Sequence, residues 1–66
     1  MNLKKFLGSA RNINKVKITN AYDESNIMYE GSYIELLYNI DELGLTDSLV
    51  MFWYVEGNIV FIGIYQ

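Results

Sequence analysis

Sixty-six residues with no cysteine and no histidine, and with eight acidic against five basic side chains, make one small domain that lacks both a disulfide and an imidazole. Those absences exclude a thiolate nucleophile, a Ser-His triad and a zinc site of the usual ligand set, and leave efficient packing or association with another chain as sources of stability. The net charge of −3 is segregated: Lys4, Lys5, Arg11, Lys15 and Lys17 hold all the positive charge, and every carboxylate follows them. Either the fold brings the two signs together and gains solubility, or a basic patch and an acidic face meet different surfaces.

Leu3, Phe6, Leu7 and Ala10 recur at helical spacing and predict a short amino-terminal helix. Gly8 weakens it, and lysines near its start oppose the helix dipole, so packing of Phe6 and Leu7 must hold it. The same segment has no apolar run of signal-peptide length.

From Lys15 to Tyr22 the pattern alternates, with Val16 and Ile18 on one face and Lys15, Lys17 and Thr19 on the other, which predicts a strand. Asp23-Glu24-Ser25-Asn26 has turn composition, and Ile27 and Tyr29 then alternate against Met28 and Glu30. A hairpin turning at Asp23–Asn26 is expected.

Ser32 followed three residues later by Glu35 is a capping-box signature for a second helix. Tyr33, Leu36, Leu37, Ile40 and Leu43 mark its apolar face, and Glu35, Asn39 and Glu42 its solvent side. Gly44 stands where a C′ residue with positive φ ends such a helix.

After the turn-like Thr46-Asp47-Ser48 comes LVMFWYVEGNIVFIGIY, Leu49 to Tyr65. It is too short for a typical membrane span, is broken by Glu-Gly-Asn, and is rich in β-branched and aromatic residues, so it reads as a hairpin. A two-residue Gly57-Asn58 turn pairs Glu56 with Ile59 and, stepwise, Phe52 with Gly63, Met51 with Ile64 and Val50 with Tyr65. One face then carries Met51, Trp53, Val55, Val60, Ile62 and Ile64 and suits the core. The other carries Val50, Phe52, Tyr54, Ile59, Phe61 and Tyr65. A three-residue turn would change these pairings without creating a polar face.

The expected fold is therefore a single α+β domain over residues 1–66, order α-β-β-α-β-β, an antiparallel sheet with two short helices. Two layouts remain open: one helix on each face, or both helices on one face with the aromatic face or an edge strand left for a partner or a second copy.

Sought chemistry is sparse. Asp23-Glu24-Ser25-Asn26 lacks EF-hand spacing, adjacent Asp41 and Glu42 point apart on a helix, and the five glycines are too dispersed for a phosphate loop. No catalytic, metal-binding or cofactor-binding residue is assigned, no cofactor is expected, and the expectation is a protein that is not an enzyme. Direct nucleic-acid binding through Lys4, Lys5, Arg11, Lys15 and Lys17 is disfavoured, because the aromatic hairpin itself carries no basic residue. The candidate partner-binding residues are Phe52, Tyr54, Phe61 and Tyr65, with Glu35 and Glu42 as acidic support.

The stretch KVKITNAYDESNIMYEGSYIELL followed by a compact hydrophobic hairpin resembles small accessory proteins encoded by phages of Gram-positive bacteria, some of them anti-CRISPR inhibitors. The resemblance implies a non-catalytic protein that binds and blocks a host effector, often one that handles nucleic acid. It carries over no individual residue. With neither a signal-peptide pattern nor a membrane span in its sequence, the chain is expected to be cytoplasmic without membrane association. The alternatives are a nucleic-acid-associated accessory module that uses the basic amino-terminal segment, and a homodimeric interaction protein.

Overall fold

The computed structural model describes residues 1–10 and 12–65, so Arg11 of the basic segment lies outside the described residues. The elements follow the expected order: α1 (Leu3–Ser9), β1 (Lys15–Asn20), β2 (Asp23–Ser32), α2 (Tyr33–Asn39), β3 (Leu49–Glu56) and β4 (Ile59–Tyr65). They build one four-stranded sheet in the order β2-β1-β4-β3.

Both hairpins are antiparallel, but the sheet is mixed, because β1 and β4 run parallel from Lys15 opposite Ile59 to Asn20 opposite Ile64. The cause is the crossover. After β2 the chain passes through α2 to the far edge, starts again as β3, and returns as β4 into the space beside β1. β4 is thereby an interior strand, paired on both edges, and its Val60, Ile62 and Ile64 are buried.

Helix α1 begins at Asn2, whose side-chain oxygen accepts from the Lys5 amide at 2.8 Å, an N-cap that the apolar spacing did not reveal. Leu3 and Leu7 are fully buried. The first hairpin reverses earlier than expected, at Ala21-Tyr22, where the Asn20 side chain accepts from the Tyr22 amide at 2.8 Å. Asp23–Asn26 consequently lies within β2 and not in the turn. Between Thr19, opposite Ile27, and Asn20, opposite Asp23, β2 carries extra residues. Asp23 holds that bulge by accepting from the Ser25 amide at 3.1 Å and the Ser25 hydroxyl at 2.6 Å, so side-chain bonds absorb the polar run.

In α2 the Ser32 hydroxyl accepts from the Glu35 amide at 3.0 Å, the expected cap. Regular helix ends at Asn39, earlier than the sequence pattern suggests, and turns follow. The Gly44 amide donates to the Asp41 carbonyl at 3.1 Å and the Leu45 amide to Ile40 at 3.1 Å. With φ of +72° at Gly44, these bonds are a Schellman motif, so the glycine does terminate the helical winding. The motif turns Leu45 inward, where it joins Ile40 in the buried cluster, while Leu37 and Leu43 are exposed, which corrects their expected place on the buried face.

The second hairpin turns at Gly57-Asn58. Positive φ at Gly57, 63°, and not at Asn58, is the sign pattern of a II′ turn. The expected pairs hold from Glu56–Ile59 to Phe52–Gly63, and then a bulge at Met51 shifts the register, placing Val50 opposite Ile64 and Leu49 opposite Tyr65. Val50 therefore moves to the face of Ile64 and packs against the core, against expectation. The amino-terminal segment pins this start of β3: the Val50 amide donates to Met1 at 2.9 Å and the Leu3 amide to Ser48 at 2.7 Å.

Leu3 and Leu7 from α1, Leu36 from α2 with Ile40 at its C-cap, and Val16, Ile18, Val60, Ile62 and Ile64 from the central strands belong to one buried cluster. Both helices thus cover the same face of the sheet, and among the described residues the opposite face is bare. Tyr33, at the start of α2, ties the helical layer together by donating its hydroxyl to the Leu7 carbonyl at 2.5 Å.

Candidate protein-binding surface

Strand alternation places Lys15, Lys17 and Thr19 of β1, Phe61 and Gly63 of β4, and Phe52, Tyr54 and Glu56 of β3 on the bare face. Gly63 has no side chain, and the Phe52 ring lies directly over it, so close that a Cβ there would overlap the ring. Tyr54 stacks on Phe61 across the strands, centroids 4.9 Å apart and planes 8° from parallel. Phe52 lies 6.5 Å from Tyr54 at 12°. The Lys17 ammonium stands 6.0 Å from the Phe61 centroid, which closes one end of the row with a cation. The β2 bulge brings Glu24 to the rim of this patch, beside Lys17, Thr19, Phe52, Tyr54 and Phe61.

Tyr65, the fourth aromatic candidate, is half exposed and meets Tyr22 edge-on, centroids 6.1 Å apart at 90°. Glu35 and Glu42 are exposed as expected, but Glu35 lies on α2 and Glu42 in the turns that follow it, in the layer that covers the other face of the sheet. The structure does not bring them together with the rings. The carboxylates that do accompany the aromatic face are Glu24, Glu30, which is opposite Lys17, and Glu56, which is opposite Ile59. Pairing parity from the Gly-Asn turn carries the signal for Glu56, whereas Glu24 depends on a bulge with no local signature.

Met51, Trp53 and Val55, expected in the core, are instead 50%, 55% and 57% exposed. Two helices of seven residues do not extend across four strands. Trp53 is touched by Phe6, centroids 5.4 Å apart at 55°. Beside these rings a cleft of about 390 Å³ opens toward Ile13 and Val60, with Ser9, Asn12, Asn14 and Asn58 also in its lining.

Two tyrosines have structural roles that composition did not separate from binding. Tyr33 bonds α1, and Tyr29 donates to the Ser32 carbonyl at 2.8 Å. Burial, and then the charge of Glu35, push the Tyr29 phenol above its ordinary 10.0. Among the described residues no group of three or more carboxylates gathers around a possible metal position, and no helix is long and apolar enough to cross a membrane. No family model, characterised protein or solved structure matches this chain.

Proposed function

We propose that this chain is a non-catalytic protein-binding module that acts by covering a partner's surface through the bare sheet face. The observation that carries the reading is the row Phe61–Tyr54–Phe52 on a face that neither helix covers. Aromatic side chains dominate the energetic centres of protein interfaces, and the flanking charges Lys17, Glu24 and Glu56 supply the polar rim that such centres need.

Nucleic-acid binding fits the same face less well. Base stacking needs free ring faces, yet these rings stack on one another and on Lys17. Glu30 lies directly opposite Lys17, and Glu56 is the sole charge of β3, so no strip of uncompensated positive charge follows the rings.

The sequence resemblance to phage accessory proteins narrows the partner to a bacterial defence effector, a nucleoprotein blocked by occlusion in the host cytoplasm. The test captures partners from lysates of bacteria that carry defence systems, with immobilised wild-type and variant chains. Tyr54→Ala and Phe61→Ala should each weaken capture at least about tenfold, the scale of an interface hot spot, whereas charge reversal at Lys4 and Lys5, on α1 in the layer that covers the other face, should preserve it. Folded aromatic variants that bind like wild type, or capture lost on charge reversal alone, would overturn the reading.

A further inference from the structure

We infer that the outer edge of β3 is the contact for a second copy of this chain, in a two-fold pair that joins two sheets edge to edge. Edge strands are normally blunted by lysine, proline or a covering segment. β3, LVMFWYVE, has no lysine and no proline, and Glu56 is its sole charge. Cover exists at its beginning, where Asn2 bridges Leu49 and Met1 accepts from Val50, and the stretch from Met51 to Glu56 follows beyond it. The opposite edge differs. β2 carries Asp23, Glu24 and Glu30 and is bent by its bulge, so it repels a copy of itself.

The exposed side chains at β3 project from both faces, which a covered sheet face alone does not explain. Leu49, Met51, Trp53, Tyr54 and Val55 are between 44% and 57% exposed. On side chains of about 150–250 Å² this offers at most roughly 500 Å² per copy, and a pair that covered all of it would bury roughly 1,000 Å², the lower bound for a specific interface.

Self-pairing is also compatible in face and charge. A two-fold axis normal to the sheet keeps residues of like face together. Centred on Tyr54, it sets Tyr54 against Tyr54 of the other copy on the bare face, Trp53 against Val55 on the helical face, and Glu56 against Phe52. The two Glu56 carboxylates fall at opposite ends of the pairing, so no like charges meet.

Light scattering on the intact chain, from low micromolar to near-millimolar concentration, tests the contact without any foreign partner, so its outcome is independent of the proposed function. The expected result is twice the single-chain mass at high concentration. Trp53 is the sole tryptophan, and its emission should move to shorter wavelength over the same concentration range as its edge is covered. Val55→Lys should restore the single-chain mass with unchanged far-UV circular dichroism, while Ile34→Lys, at a residue 64% exposed on α2, should leave the mass doubled. A single-chain mass at every concentration, as expected if the edge receives a foreign strand instead, overturns the inference. So does a doubled mass that survives Val55→Lys in a folded chain, a mass that grows beyond two copies, or a Trp53 emission that stays fixed while the mass doubles.

Discussion

At Gly63 the absent side chain is what allows an aromatic ring to lie flat on the sheet. Phe52 occupies the position that a Cβ would take, and this in turn sets Phe52 nearly parallel to Tyr54. Gly63→Ala should therefore cost about 1–3 kcal/mol through overpacking. The same substitution in a Phe52→Ala background should cost much less, because the ring that it displaces is gone. A double-mutant cycle by urea unfolding measures this coupling, and additive costs would show that the ring is free to move aside. The pairing of Phe52 with Gly63 was legible in the sequence, because two residues of turn fix the register of everything that follows until a bulge intervenes.

Among the elements, α2 is the most locally encoded. Its start rests on Ser32, and Ser32→Ala should lower stability by about 1 kcal/mol, read from the urea midpoint at unchanged slope. An unchanged midpoint would mean that packing of Leu36 and Ile40 alone holds the helix. The second hairpin was equally legible near its turn, where Gly57 and alternation agree, but not at Met51, since a bulge inserts a residue without changing composition. The first turn was misplaced because Asn20 and Asp23 both belong to turn-forming types, and only the structure distinguishes the one that caps the reversal from the one that holds the bulge. Phe52, Tyr54 and Phe61 were predictable as companions because strand parity places them on one face. Glu35 and Glu42 were not, because the phase of a helix says which of its sides meets solvent and nothing about which face of a sheet the helix covers.

For the molecule as a whole, ten buried hydrophobic residues among those described form one cluster to which both helices and the two central strands contribute, so stability is expected to be held in common. A chain of this length has about 3–10 kcal/mol of folding free energy. Leu7→Ala, at a fully buried position of α1, should remove about 2–5 kcal/mol and unfold both helices and the sheet together. Circular dichroism and Trp53 fluorescence would then show coincident melting at lower temperature, whereas a variant that lost only α1 would separate the two signals. The parallel pairing of β1 with β4 also has a kinetic consequence. Each hairpin closes over a two-residue turn, but Lys15 meets Ile59, 59 − 15 = 44 positions away. The hairpins therefore offer early local structure, while the docking of one upon the other carries most of the loop-closure entropy and is the step at which the folding rate is set.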